Sequence, residues 1–392
     1  MKQAFAVIGA NFGDEGKGLM TDWFCRQYPG ALNVRTNGGA QAGHTVCTPQ
    51  GDRHVFSHFG AGSFAGADTY LSEFFPVNPM LFQKERTDPA LKLGKIYADR
   101  GCAVTLPCDM LLNQFAERGR GEFRYGSCGI GIYETLLRSK KSEFCIRFGD
   151  ISDIPECRRM LADRMREIHE KYCVNRAKEL GIRGDAFTAL FVLINNECVI
   201  ENYIDDLITM LSQCVLTTSG ILEQYETVVF EGAQGLLLDM DRRDYFPHLT
   251  PSNTGMKNIL ALLQRVPQCP TEICYVTRSF FTRHGAGRFD TESSQLAEKY
   301  GLYDKTNAPN EFQGAFRYGW FDQSAFAESL KLDRKYVPDY AKISAAVTHL
   351  DMSGGAVLLE QGEESPELIR KLADAVKLYK VCGETADDVT AE

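Results

Sequence analysis

Short apolar runs that lead directly into glycine-rich polar loops restrict the fold of this chain more than any other feature of its sequence. Apolar runs at residues 4–8 and 227–230 precede such loops, and residues 33–35 precede another. Residues 273–276 and 345–348 are further apolar runs followed by polar side chains. Continuous apolar segments of this length are typical of strands that are buried on both faces of a parallel sheet. We therefore predict an α/β fold with a mainly parallel central sheet and surrounding helices.

The helical signal is strongest in the middle of the chain. Residues 155–180 combine many charges with apolar positions three and four apart, which predicts an amphipathic helix, and a second helical stretch covers roughly 185–213. No fixed-period repeat is present. We therefore predict one domain over residues 1–392, with a helical insertion at about 151–213.

Charge and cysteine content disfavour several classes of protein. The formal net charge of −9 argues against nucleic acid as a partner, since phosphate contacts need clustered Lys and Arg. No apolar run approaches the roughly 20 residues that span a bilayer, and the start lacks a signal-peptide pattern, so we expect a cytoplasmic protein without a membrane partner. The 13 cysteines form no C-x-x-C pair, which is typical of buried thiols in a reducing compartment.

The first glycine-rich loop, residues 9–18, has the composition of an anion site. Its glycines let backbone N–H groups approach an anion, and Lys17 adds a positive charge. The loop is not a Walker A sequence, because Asn11 and Gly18 stand where that pattern needs Gly and Ser or Thr. The alternative is a loop that serves only as a turn, because such loops have a similar glycine content. Asp14 favours a function, because a carboxylate among phosphate-binding groups repels its ligand unless it holds Mg²⁺ or removes a proton.

Six segments together resemble the adenylosuccinate synthetase family, in the same order and from end to end of the chain. They are GDEGKG at 13–18, GGAQAGHT at 38–45, FEGAQGLLLD at 230–239, LTPSNT at 249–254, TRHGAGRFDTE at 282–292 and THLD at 348–351. The resemblance implies a P-loop-NTPase-like adenylosuccinate synthetase fold. It also implies a carbon–nitrogen ligase of purine biosynthesis that uses Mg²⁺ and a nucleoside triphosphate.

The resemblance assigns catalytic roles to four residues. In the family, the 6-oxo group of the purine takes the γ-phosphoryl group, and aspartate then displaces that phosphate at C6. Asp14 matches the base that takes the N1 proton, and His44 matches the acid that supports the leaving diphosphate, a role suited to an imidazole that titrates near neutrality. Lys17 matches the cation that neutralises the phosphoryl group, and Gln234 matches the amide that holds the 6-position oxygen.

Further positions are assigned to nucleotide and metal binding by the same motifs. The nucleotide-binding positions are Gly13, Glu15, Gly16, Gly18, Gln41, Gly43, Thr45, Ser127, Arg138, Thr250, His349 and Asp351. Thr250 matches the hydroxyl that contacts the 5′-phosphate of the acceptor nucleotide, and Ser127 replaces a family threonine at that phosphate. Asp14 and the carbonyl of Gly43 are the expected Mg²⁺ ligands. Family members are homodimers in which a partner arginine reaches the nucleotide phosphate; Arg138 lies near the matching place, and an exposed helical arginine is the alternative.

The sequence departs from the family pattern where the family binds aspartate. The loop that leads to Trp320 is shorter than in the family and keeps one arginine, Arg317. A dicarboxylate still needs cations, so Arg317 and Arg283, with Gln313 and the less certain Arg288, are the candidates for binding L-aspartate.

A second departure concerns the two nucleotides. His349 replaces the lysine that reads guanine in the family, while Asp351 remains, so both GTP and ATP stay open as donors. The TRHGAG segment and residues 245–248 resemble a phage branch that makes 2-aminoadenylosuccinate from deoxy-GMP, although Asp14 is a family feature that this branch typically lacks. IMP is therefore the first acceptor and (d)GMP the alternative, and a nucleotide-binding protein without catalysis is a remote third hypothesis.

Overall fold

Ten strands form one sheet at the centre of the part of the chain that this computed structural model describes, residues 1–151, 157–307 and 314–392. The strand order is β16-β15-β12-β9-β1-β8-β2-β5-β6-β7, and every neighbouring pair is parallel except β15 and β16. The strands are β1 (Gln3–Gly9), β2 (Leu32–Arg35), β3 (His44–Cys47), β4 (Arg53–Phe56), β5 (Asp68–Leu71), β6 (Ile96–Asp99), β7 (Val215–Thr217), β8 (Thr227–Glu231), β9 (Thr271–Arg278), β10 (Phe281–His284), β11 (Phe316–Gly319), β12 (Lys342–Thr348), β13 (Val357–Leu359), β14 (Gly362–Glu364), β15 (Lys377–Val381) and β16 (Val389–Ala391). The predicted α/β class with a mainly parallel sheet is confirmed.

Helices cover both faces of this sheet. They are α1 (Lys17–Gln27), α2 (Pro79–Arg86), α3 (Pro107–Arg120), α4 (Ile132–Ser139), α5 (Cys157–Ile168), α6 (Val174–Glu179), α7 (Gly184–Ile194), α8 (Glu197–Gln213), α9 (Met256–Leu263), α10 (Ser294–Tyr300), α11 (Gln323–Asp333) and α12 (Glu367–Leu372). Leu19 and Phe24 of α1 pack with Val7 on one face of β1, while Ile259 and Leu262 of α9 pack with the opposite face. This two-sided cover explains why the central strands are continuous apolar runs.

The middle of the chain is helical, as predicted, but its boundaries differ from the prediction. The first stretch is α5 and α6 joined by a π-helical segment, His169–Cys173, and its predicted start at 155 lies outside the described residues. The second helical stretch, predicted over roughly 185–213, comprises α7 and α8. It is two helices, because the side chain of Asn196 accepts a hydrogen bond from the Cys198 N–H and begins α8 as its cap.

Three two-stranded antiparallel pairs lie outside the main sheet. They are β3–β4, β10–β11 and β13–β14. The first pair carries His44, and the second sets Arg283 directly opposite Arg317. Among the described side chains every cysteine is a free thiol, and no described helix is long and apolar enough to cross a bilayer.

Candidate functional site

The polar loops meet at one edge of the sheet. Strands β12, β9, β1, β8 and β2 are consecutive neighbours and run parallel, so the loops that follow them converge at their carboxyl ends. A cavity of about 460 Å³ opens there. The predicted residues that line it are Gly13, Asp14, Gly16, Lys17, Gly18, Gln41, Gly43, His44, Thr45, Gln234, His349 and Asp351. Glu15, Ser127, Arg138, Thr250, Arg283 and Arg317 do not line it, and Gln313 lies outside the described residues.

Three of the lining residues adopt a backbone conformation that non-glycine residues rarely use. Asp14, Gln234 and His349 have φ angles of 61°, 64° and 57°. Left-handed backbone at a side chain with a Cβ costs energy and persists only where surrounding contacts enforce it. Each of the three follows a different buried strand, so the fold holds three predicted site residues in a strained conformation around one cavity.

Two loops approach each other closely beside Gln234. A Cβ added at Gly235 would lie 2.2 Å from the carbonyl oxygen of Asn11 and 2.4 Å from Glu15 Oε1. Only glycine fits there, because any side chain would overlap the first glycine loop. The FEGAQG segment after β8 is therefore pressed against the loop after β1.

A buried carboxylate organises the first loop from within. Glu15, 1% exposed, accepts hydrogen bonds from the N–H groups of Asn11 (3.0 Å) and Gly13 (2.8 Å) through Oε1. Its Oε2 accepts from Lys17 Nζ at 2.5 Å. The loop thus presents an anion site in which Glu15 already pairs with the lysine, and a bound phosphate competes with Glu15 for that charge.

His44 belongs to a buried charge network. Its Nδ1 bonds to Glu231 Oε1, and Arg35 donates to the same oxygen at 2.9 Å and lies 3.3 Å from His44 Nδ1. Burial outweighs the attraction of Glu231 and lowers the pKa of His44 to about 4, while Arg35 and His44 outweigh the burial of Glu231 and lower its pKa to about 2. Burial therefore favours the neutral imidazole, and the pKa of His44 lies below the near-neutral value expected from the sequence.

Arg278 and Asp304 are site residues that the sequence analysis did not single out. Both line the cavity, and Arg278 Nη2 donates to Asp304 Oδ2 at 2.8 Å. The signal in the sequence was the pair of polar residues after the apolar run at 273–276.

The pKa of the Asp14 carboxyl is raised by its burial, against the opposing charges of Arg278 and Lys17. Its carboxylate is therefore a stronger base than an exposed one.

Residues predicted to contact the acceptor nucleotide form a polar cluster beside the cavity. Gln41 lines the cavity and donates through Nε2 to Thr250 Oγ1 at 3.3 Å. The Ser127 hydroxyl donates to Asn113 Oδ1 at 3.1 Å and accepts from Asn113 Nδ2 at 2.8 Å. The Thr250 hydroxyl thus contacts a residue that lines the cavity, and the Ser127 hydroxyl is engaged with Asn113.

The expected role of Arg138 across a dimer is contradicted. Its side chain is fully buried and pairs with Asp109, with Arg138 Nη2 and Asp109 Oδ2 2.7 Å apart. The remaining donors bond to the carbonyls of Phe144 (2.8 Å) and Val104 (2.7 Å). Arg138 is neither a free cation nor an exposed helical arginine, because its Nε, Nη1 and Nη2 atoms all donate hydrogen bonds inside the subunit.

Arg283 and Arg317 are brought side by side with little negative charge around them. Arg283, 2% exposed, donates only to the carbonyls of Ala286, Arg288 and His248. Burial, with a smaller effect of Arg317, lowers the pKa of Arg283 to about 10. Arg317 pairs with Glu292 at 2.7 Å, and its Nε has no partner among the described residues. Like charges directly opposite in a β-pair repel, so this pair favours an anion.

Oxygen donors suited to a divalent cation also face the cavity. The Asp14 side chain and the Gly43 backbone line it, and no described group of three or more His, Cys, Asp or Glu is placed to hold a metal. Mg²⁺ usually takes one or two carboxylates and completes its shell with phosphates and water. The residues present therefore fit a Mg²⁺ that arrives with a phosphate ligand.

Comparison with known proteins gives a consistent result. The family model for adenylosuccinate synthetase matches residues 6–354. The chain is 27% identical over 346 residues to adenylosuccinate synthetase of Lactobacillus acidophilus, covering 84% of this chain and 74% of that protein, and 28% identical over 341 residues to that of Mesoplasma florum, with coverage of 84% and 74%.

Two solved structures share the fold. A fully ligated adenylosuccinate synthetase from Plasmodium falciparum superposes with a TM-score of 0.67, 18% identity and 99% coverage of both chains. A succinoaminodeoxyadenylate synthetase of cyanophage S-2L, bound to dGMP and to dATP as energy donor, gives a TM-score of 0.62 with 12% identity, over 100% of this chain and 95% of that one. At these identities the matches establish the fold.

Proposed function

Because the chain belongs to the adenylosuccinate synthetase family and is a ligase, we propose that it joins L-aspartate to C6 of IMP through a 6-phosphoryl intermediate, driven by nucleoside triphosphate hydrolysis. The observation that carries this proposal is the shared cavity of Asp14, Lys17, His44 and Gln234. These side chains supply a base, two phosphate-facing groups and an amide, which are the parts that the two steps need.

Asp14 and Gln234 act on the purine in this proposal. The carboxylate of Asp14 takes the N1 proton, which makes O6 nucleophilic, and its raised pKa favours that transfer. The amide of Gln234 donates to the 6-position oxygen. Their left-handed backbone conformations fix both side chains toward the cavity before substrate arrives, which reduces the reorganisation needed for reaction.

Once His44 is protonated, it supports the departing diphosphate. Glu231 engages Nδ1 and thereby fixes the ring orientation, leaving Nε2 as the nitrogen for the phosphate side. Phosphate charge brought next to the ring would favour the imidazolium and oppose the burial that lowers the pKa of His44 to about 4. Lys17 neutralises the transferring phosphoryl group by exchanging its contact with Glu15 for one with phosphate.

The family uses Mg²⁺, and Asp14 with the Gly43 backbone would hold it. When bound, the ion supplies charge neutralisation at the phosphates. Every other contribution in the proposal comes from the side chains already described.

L-Aspartate binding is assigned to the Arg283–Arg317 pair. Replacing Arg317 with Leu is expected to raise the aspartate KM about tenfold or more with little effect on IMP, because a charge-assisted carboxylate contact is lost. Steady-state kinetics with aspartate varied measures this. Arg265→Leu is the matched control, since Arg265 is exposed, pairs with Glu73 and does not line the cavity. Equal aspartate KM values for the parent and the Arg317 variant would contradict the assignment.

A homodimer is the proposed assembly, and α7 supports it. Val192 and Leu193 on this helix are 64% and 41% exposed, beside the stacked rings of Phe187 and Phe191. Val192→Asp is expected to shift the molecular mass measured by light scattering from dimer to monomer. Val376→Asp, which changes a valine 65% exposed elsewhere, is the control. A Val192 variant that remains dimeric excludes α7 from the interface.

A matrix of substrates tests the proposed reaction itself. IMP, GMP and deoxy-GMP are each combined with GTP or ATP and aspartate, and phosphate release is followed. Activity with IMP is expected, and activity with deoxy-GMP alone would contradict the choice of acceptor.

The alternative, the same chemistry on (d)GMP with ATP, is favoured by one observation at the donor side. His349 replaces the guanine-reading lysine, and burial lowers the pKa of His349 well below its usual range, so a neutral ring faces the cavity. A neutral ring offers no cation to the guanine 6-oxygen, so we expect modest discrimination between GTP and ATP.

A further inference from the structure

Arg278 ends β9 at the floor of the cavity. It is 3% exposed, lines the cavity, and lies in register beside Thr348 of β12. The next residue after Thr348 is His349, one of the two positions assigned to the donor base. Arg278 therefore lies on the side of the site where the nucleoside triphosphate is expected.

Two contacts fix the Arg278 guanidinium before any ligand binds. Its Nε donates to the Asp14 carbonyl oxygen at 2.5 Å, and its Nη2 donates to Asp304 Oδ2 at 2.8 Å. Asp304 Oδ1 in turn accepts from the N–H groups of Thr306 and Asn307, both at 2.9 Å. The planar group is thus held between the first glycine loop and the segment that follows α10.

The third nitrogen of this guanidinium has no acceptor. Among the residues that the structure describes, Arg278 Nη1 is buried and has no hydrogen-bond partner. Leaving a charged donor desolvated and unpaired is costly, and such a group marks a place that a ligand completes. Lys17, another cation that lines the cavity, already pairs with Glu15.

We propose that Arg278 is a further phosphate-binding residue, whose free Nη1 donates to an oxyanion oxygen of the nucleoside triphosphate. The inference rests on the proposed function for the identity of the anion. A guanidinium is suited to this task because its donors form a rigid planar fork that stays charged. The donor phosphate is favoured over the acceptor phosphate because Thr250 and Ser127, the residues assigned to the latter, do not line the cavity.

Calorimetric titration of non-hydrolysable GTP and ATP analogues, and separately of IMP, tests the proposal without requiring turnover. Arg278→Gln is expected to weaken binding of the triphosphate analogue about tenfold or more, the loss of one charge-assisted contact, while the IMP affinity stays as in the parent. Arg278→Lys is expected to recover part of the loss. Arg176→Gln is the control, since it also removes a largely buried arginine, paired with Glu134 outside the cavity.

Unchanged triphosphate affinity in a folded Arg278→Gln protein would overturn the proposal, and a loss confined to IMP would reassign Arg278 to the acceptor phosphate. If circular dichroism shows that Arg278→Gln is unfolded, Arg278→Lys decides, because one ammonium cannot keep all three contacts; parental affinity in that variant would then refute the role. A parent that binds triphosphate through Arg278 but releases no phosphate with any acceptor leaves this inference standing and removes the proposed function.

Discussion

Replacing Asp14 with Asn is expected to lower turnover at least about 100-fold, the lower end for removal of a general base. An amide has nearly the same shape as a carboxylate but cannot take the N1 proton. The left-handed conformation at this position, which asparagine tolerates well, is kept, so the loop geometry should survive. Single-turnover phosphate release with saturating IMP and triphosphate measures the effect.

Nucleotide affinities measured in parallel separate chemistry from folding. They should stay within a few-fold of the parent, because the loss is in proton transfer and not in binding. Asp22→Asn is the matched control: Asp22 is a buried carboxylate on α1 that pairs with Arg26 and lies outside the cavity. Activity of the Asp14 variant near that of the Asp22 variant would remove Asp14 from the mechanism.

Replacing Glu231 with Gln is expected to lower the free energy of unfolding by about 3–5 kcal/mol, the usual cost of breaking a buried ion pair from one side. Arg35 is fully buried, and the substitution leaves its charge without a counter-ion. His44 loses the carboxylate that orients it, so the residual activity should also fall. Denaturant unfolding at pH 7 measures the stability change, and Glu226→Gln, at an exposed pair with Lys2, is the control that should unfold like the parent.

The pH dependence of the same stability provides a second test. The folded-state pKa of Glu231 is about 2, below its ordinary value of 4.5, because Arg35 and His44 outweigh its burial. A lowered folded-state pKa stabilises the protein above the unfolded pKa, and this stabilisation is lost as pH falls from about 4.5 toward 2. The Glu231→Gln protein lacks that contribution, so the difference between the two proteins should shrink over this window. A difference that stays constant with pH would mean that the charge of Glu231 is not responsible.

The functional loops could be predicted from the sequence because the residues that mark each loop lie within a few positions of one another. Glycines beside an apolar run, and a lysine and a carboxylate within one loop, indicate a phosphate site wherever the loop lies. The parallel sheet then followed, since uninterrupted apolar strands need cover on both faces. Twelve predicted site residues do line one cavity for this reason, as their loops all follow adjacent parallel strands.

Only the tertiary structure decided which residues are the partners of the buried charges. Arg138 has the same local context as a solvated helical arginine, yet Asp109, 29 residues earlier in the chain, places it in the core. Arg35 and Glu231 are 196 residues apart in the chain and meet because β2 pairs with β8. Arg278 and Asp14 are 264 residues apart and meet because β9 pairs with β1. Such pairings depend on strand order and side-chain direction, which residue spacing along the chain does not encode. The sequence therefore determined which loops carry the catalytic and binding residues, and the tertiary structure determined which charged side chains pair with one another at the site.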